Sequence, residues 1–200
     1  MRLDIRFTIR SIEDLWCQAV VLPVFERDTS LILNNINRKM GGSIEKLLNS
    51  GIWNGKAGEK LLLATQNAIR ADKLLIHGMG ETADYSINVL KKEIYNIGLA
   101  LDKMKVNDFG IFIPRVREPE PEYGLHIDTA VKYLAKLYLS RYKDEPDFIL
   151  RILFSFEKQD AGIIENEAEK LRKYFSPLSD CSIIVEKETT QNNNMSELAA

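Results

Sequence analysis

Two hundred residues with 45% hydrophobic and 28% charged side chains have the composition of a globular domain, long enough to bury roughly 70% of the surface of the unfolded chain. A formal net charge of −2 excludes a general electrostatic pull toward nucleic acid or anionic lipid, and no apolar run approaches the ~20 residues needed to cross a bilayer. Two cysteines, Cys17 and Cys181, are too few for a disulfide framework, and Met1 to Arg6 lacks a signal-peptide core, so a reducing, cytoplasmic compartment is expected.

The first predicted strand spans residues 3–9, where Leu3, Ile5, Phe7 and Ile9 alternate with charged or polar neighbours. Ala19 to Val24 is a continuous apolar run of the buried-strand type. Pro23 has no N–H for a neighbouring strand, so the ladder should end near it. Residues 30–49 carry Leu31, Ile32, Ile36, Met40, Ile44, Leu47 and Leu48 at helical spacing. Gly41-Gly42 divides them into two short helices, with Ser43 as the expected N-cap of the second.

A glycine-bracketed turn, Gly55-Lys56-Ala57-Gly58-Glu59, opens a strand over residues 60–65, and a second strand over 73–77 runs into Gly78-Met79-Gly80. From Ser86, a plausible cap, the positions Ile87, Leu90, Ile94, Ile97, Leu101 and Met104 step by three and four and predict a long helix. Phe109 to Ile113 is a short strand, and Pro114 to Glu122, with three prolines, an exposed loop. Ile127, Val131, Leu134 and Tyr138 predict a further helix, Phe148 to Phe154 a buried strand, Ile164, Ala168, Leu171 and Phe175 another helix, and Cys181 to Val185 a last strand. Residues 1–185 are expected to form one domain, and the polar stretch 186–200, with Asn192-Asn193-Asn194, a disordered tail. Strands alternating with helices predict an α/β fold with a mixed, mostly parallel sheet covered on both faces, and a ligand place beyond the carboxyl ends of the strands.

Four segments carry a resemblance. Val20-Val21-Leu22-Pro23-Val24-Phe25-Glu26, Gly55-Lys56-Ala57-Gly58-Glu59 with Leu61-Leu62-Leu63, Leu74-Leu75-Ile76-His77-Gly78-Met79-Gly80, and Leu137-Tyr138-Leu139-Ser140-Arg141-Tyr142-Lys143 stand in the order found in the N-terminal domain of the leucyl aminopeptidase family. The resemblance covers roughly residues 1–176 and implies a three-layer, macro-domain-like sandwich. In that family the metal ligands belong to a C-terminal domain with an asparagine-threonine-aspartate-alanine-glutamate-glycine-arginine stretch, and the sequence contains no such stretch. No residue here inherits a catalytic or metal-binding role, and no cofactor is expected. The asparagine-rich segment resembles a natural chain end, which favours a stand-alone domain over a fragment of the peptidase.

Three functions follow as expectations. The first is a non-catalytic interaction or regulatory module, partnered by a second copy or by a full-length aminopeptidase. The second is a binder of an ADP-ribose-like nucleotide at Gly78, Met79 and Gly80, where amides between a strand and a helix suit a phosphate. Glu81 beside that loop would repel an anion, and the glycines also serve simply as a turn. The third is the aminopeptidase itself, represented by one domain. Lys56 lacks P-loop spacing and reads as a turn lysine, His77 as a structural histidine, His126 as a surface residue, and Cys17 as packing. Arg115, Arg117, Arg141 and Lys143 are interleaved with Glu118, Glu120, Glu122 and Asp144, so a mixed solvated surface is expected rather than a nucleic-acid patch.

Overall fold

The computed structural model describes residues 1–28, 30–116 and 122–186. The predicted tail beyond Glu186, and residues 117–121 of the proline-rich loop, lie outside the described residues. Among the described residues seven strands form one sheet: β1 (Arg2–Thr8), β2 (Ala19–Val24), β3 (Lys60–Ala64), β4 (Lys73–Gly78), β5 (Asp108–Phe112), β6 (Ile149–Ser155) and β7 (Asp180–Val185). Their order is β3-β4-β2-β5-β6-β1-β7, and every neighbouring pair is parallel except β3 with β4.

Strand periodicity decides which residues meet which helices. Leu3, Ile5 and Phe7 of β1, Val21 of β2, Phe109 and Ile111 of β5, and Ile152 and Phe154 of β6 face α3 (Ile87–Lys103), α4 (Tyr123–Tyr142) and α5 (Ala161–Phe175) in one core. Val20, Leu22 and Val24 of β2 and Leu74 and Ile76 of β4 form the other core with α1 (Leu31–Lys39), α2 (Ser43–Asn49) and Trp53. The result is three layers.

Helix ends follow local chemistry, with one change from expectation. Ser30 and Ser86 cap α1 and α3 by accepting from Leu33 N–H and Val89 N–H, each at 3.3 Å. Ser43 does not cap α2. Gly42, at φ 76°, takes the cap position because only a left-handed residue lets the chain reverse there. Ser43 becomes the first helical residue and donates its hydroxyl to the Met40 carbonyl. The side-chain acceptor comes instead from α1, where Asn37 Oδ1 takes Glu45 N–H at 3.1 Å.

The two glycine loops lock together. Gly58 N–H donates to the Gly78 carbonyl, Gly78 N–H to the Glu59 carbonyl, and Gly80 N–H to the Gly55 carbonyl, at 2.9, 2.8 and 3.1 Å. Met79 N–H donates to the Val24 carbonyl at 2.8 Å and Glu26 N–H to the Gly80 carbonyl at 2.9 Å, so the end of β2 joins the knot. The Glu59 carboxylate accepts from Asn54 N–H and Lys56 N–H at 3.0 and 3.2 Å. A Cβ on Gly78 would sit 2.1 Å from the Lys56 carbonyl oxygen and 2.6 Å from the Gly55 carbonyl carbon. Both obstacles are backbone, so they cannot rotate away. Gly78→Ala is expected to destabilise the domain by about 3 kcal/mol or more, read as a lower midpoint in denaturant at unchanged m-value. An unchanged midpoint would mean that the loops do not cross this closely.

Candidate functional site

Pro23 shapes the main cleft. Val24 gives its carbonyl to Met79 N–H beyond β4, so the even-numbered residues of β2 bond toward β4 and the odd ones toward β5. The β2–β5 ladder ends at Val21↔Ile111, and the next residue on that side, Pro23, has no N–H to continue it. Beyond this point the chain leaves β2 toward α1 on one face, and leaves β5 toward α4 on the other. That is a topological switch point, where open α/β sheets place ligands. A cleft of about 480 Å³ opens there, lined by Leu22, Pro23, Phe25, Ile32, Phe112 and Pro114 among the apolar groups.

The polar lining is Glu26, Arg27, Asp28, Ser30, Thr82, Arg115 and Glu157. Much of it is bound to the chain itself. Asp28 Oδ1 accepts Ser30 N–H at 2.6 Å, placing a carboxylate at the start of α1, where a bound anion would otherwise be favoured. The Ser30 hydroxyl is occupied as the cap of α1. Arg115, with 8% of its side chain exposed, is held by Asp160 and by Glu157 at 3.3 Å, and its guanidinium lies 4.7 Å over the Tyr123 ring. Three carboxylates, Glu26, Asp28 and Glu157, therefore face two arginines, one of them already neutralised.

The sequence-derived site lies apart from this cleft. Gly78, Met79 and Gly80 are buried and are not among its lining. Each of their N–H groups is spent on a backbone carbonyl, of Glu59, Val24 and Gly55 respectively, so the loop has no amide to offer a phosphate. The four basic residues named from the sequence do not gather either. Arg115 is buried at the carboxyl end of the sheet, whereas Arg141, paired with Asp102, and Lys143 stand at the far end of α4, and Arg117 lies outside the described residues. The cleft residues beyond Pro23 gave little warning in sequence. Arg115 sits in a loop of alternating charge, and its partner Asp160 is 45 residues away.

The remaining candidates resolve into structure. His77 is fully buried on β4, and its Nε2 lies 2.7 Å from Glu93 Oε2 of α3. Burial lowers the His77 pKa. Burial also resists ionisation of Glu93, but Asn96 Nδ2 at 3.1 Å and His77 outweigh it and hold the carboxyl below its usual range. A neutral imidazole thus donates from Nε2 to a carboxylate, and Nδ1 has no hydrogen-bond partner among the described residues. This is a tie between α3 and β4, not a base aimed at substrate. His126 is buried rather than at the surface, edge-on to Tyr85 with ring centroids 5.4 Å apart, because α4 turns that side of its first turns inward. Cys17 is half-buried, with its thiol pushed up to about 12 by burial, while the adjacent Trp16 is exposed under the Arg70 guanidinium. Among the described residues no three His, Cys, Asp or Glu side chains come together as metal ligands, and no helix is long and apolar enough to cross a membrane.

Two expectations follow. Arg115→Met strands the buried Asp160 carboxylate and should cost about 3 kcal/mol in chemical denaturation, whereas Arg27→Met should cost under about 0.5 kcal/mol. Equal losses would contradict the structural role of Arg115. The unfolded chain protonates histidine near pH 6.5, and folded His77 resists protonation to a lower pH. The unfolded state then binds more protons in that window, so stability should fall as pH drops below about 6.5. Glu93, depressed when folded, adds a further loss at lower pH. Unfolding free energies of His77→Gln that track those of the parent chain between pH 7.5 and 5 would assign the slope elsewhere.

Comparison with known proteins agrees with this architecture. A model described as the cytosol aminopeptidase family, N-terminal domain, matches residues 21–146. A probable cytosol aminopeptidase of Gloeothece citriformis (strain PCC 7424) is 28% identical over 150 residues, covering 72% of this chain and 30% of the relative. The chain thus spans about a third of the length of that curated relative. Among solved structures, the macro domain of ganglioside induced differentiation associated protein 2 superposes with a TM-score of 0.65 at 14% identity, over 82% of this chain and 81% of that one. An Oceanobacillus iheyensis macrodomain with ADP gives 0.63 at 12% identity, over 83% and 90%. A tomato leucine aminopeptidase mutant gives 0.62 at 8% identity, over 87% of this chain and 43% of that one. These likenesses show a macro-domain-like fold.

Proposed function

Because the chain belongs to the cytosol aminopeptidase family, through its N-terminal domain, we propose that it works in the cytoplasm as a non-catalytic interaction or regulatory module. Its partner is a second copy of itself or a full-length aminopeptidase. The observation that carries this reading is the self-satisfaction of the cleft. Asp28 is bound to Ser30 N–H, Ser30 caps α1, and Arg115 is clamped by Asp160 and Glu157. A catalytic site keeps a base, nucleophile or electrophile free to act on a substrate. Here Asp28, Ser30, Arg115 and Glu157 support the fold. Residues 1–185 act as the module and 186–200 as an appended tail.

The alternative is recognition of an ADP-ribose-like nucleotide. The site in that case is the cleft rather than the Gly78–Gly80 loop, and the support for it is the cleft's place at the switch point, together with the likeness to a macrodomain solved with ADP. The charge of the lining opposes it, since a diphosphate would meet Glu26, Asp28 and Glu157. The third reading, one domain of a working aminopeptidase, rests on relatives that are longer than this chain.

Calorimetry separates the first two. No heat of binding is expected with ADP or ADP-ribose up to millimolar concentration, while a co-purified aminopeptidase or a self-associated species is expected in light scattering. Saturable nucleotide binding abolished by cleft substitutions would transfer the function to the second reading. A strict monomer that ignores the aminopeptidase would remove the first.

A further inference from the structure

The two outer strands of the sheet are guarded differently. On β7, Glu186 N–H donates to the Phe7 carbonyl at 2.8 Å, so the even-numbered residues bond toward β1 and Ile183 turns its backbone outward. Arg172 Nε of α5 takes that outward Ile183 carbonyl at 2.9 Å. A side chain thus occupies the edge, one of the ways a sheet avoids further pairing.

The β3 edge has the opposite character. Thr65 N–H donates to the Asp72 carbonyl at 3.2 Å, and the pairing continues through Leu63↔Leu74 and Leu61↔Ile76. In an antiparallel ladder alternate residues bond inward, so Leu61 and Leu63 bond to β4 while Lys60, Leu62 and Ala64 direct N–H and C=O away from the sheet. Those three residues are also the exposed ones, and Leu62 is 49% exposed. Leu61 and Leu63 are only partly covered by the core beneath α1 and α2. The strand carries one charge, Lys60 at its first position, and no proline or glycine to discourage pairing.

We propose that β3 is a self-association edge, on which two copies of the chain pair antiparallel about a two-fold axis through Leu62 and double the seven-stranded sheet. This register is self-complementary. Leu62 meets Leu62 of the second copy, Leu61 meets Leu63, and each Lys60 meets an alanine, so no like charges are opposed. Centring the axis on Lys60 instead would set two ammonium groups face to face, which selects against that slip. All outward N–H and C=O groups of Lys60, Leu62 and Ala64 find partners in the selected register. A five-residue edge is small for an interface, so the dimer is weak and concentration-dependent. The proposal rests on the reading of the chain as an interaction module and names one partner for it.

Charge placed on the axis tests it, because the axis opposes a residue to itself. Light scattering of the full chain should show a mass rising from one chain toward two with concentration. Leu62→Lys and Leu62→Glu should each raise the dimer dissociation constant at least about tenfold, which corresponds to ~1.4 kcal/mol, with circular dichroism and unfolding midpoint unchanged because the side chain is half exposed. An equimolar mixture of the two variants should restore dimers, since lysine then faces glutamate. A wild-type chain that stays monomeric at millimolar concentration, variants that dimerise like wild type, or a mixture that stays monomeric would each overturn the proposal. Capture of an aminopeptidase by a monomeric chain would overturn only this edge and leave the module reading standing. Dimers formed in this register without capture would limit the partners to the second copy.

Discussion

The crossing of two backbone loops at Gly78 is the constraint on which this domain depends. The carbonyl of Lys56 passes where any side chain on Gly78 would stand, and the hydrogen bonds of Gly55, Gly58, Met79 and Gly80 close around it. Through this crossing the hairpin of β3 and β4 is fastened to the end of β2, the strand between β4 and β5. His77, one residue before the crossing, ties the same strand to α3 through Glu93. A loop that looked suited to a phosphate is instead consumed in holding three strands and a helix in register. Its amides could not serve both tasks, because each N–H has one bond to give.

The open cleft is displaced by one strand as a result. With the end of β4 closed, the open space falls between β2 and β5, where Pro23 withholds the N–H that would have kept the ladder going. Three of the charges around that space, Asp28, Arg115 and Glu157, are bound within the chain. Asp28 stands at the start of α1, and Arg115 lies between Glu157 and Asp160 over the face of Tyr123. Burying an arginine this far requires partners, and the partners leave it little to give a ligand.

Local patterning carried much of the architecture. Alternation located β1, apolar runs the other strands, and period-three-to-four spacing the helices, and Ser30 and Ser86 stand at helix starts with their hydroxyls accepting as caps. Where local reasoning failed, another geometry had intervened. Ser43 lost the cap to Gly42 because the reversal from α1 into α2 needed a left-handed residue one place earlier. The position of His126 near a helix start suggests a surface residue, yet that part of α4 faces inward against Tyr85. Of the cleft, its place beyond the carboxyl ends of the strands follows from the α/β order, and Pro23 is legible because a missing donor is a property of one residue.

By itself the sequence determined the alternation of strands and helices, the faces they bury and the kinship with an aminopeptidase domain, because these depend on residues a few positions apart or on motifs in order. The tertiary structure alone decided which charges are neutralised, which amides are spent and which edge of the sheet is left open. Arg115 with Asp160, His77 with Glu93 and Arg172 with Ile183 belong to separate elements. Parallel strands reach their neighbours only through crossovers, so what stands beside a residue in such a sheet is settled by the order β3-β4-β2-β5-β6-β1-β7 and not by what stands beside it in the chain.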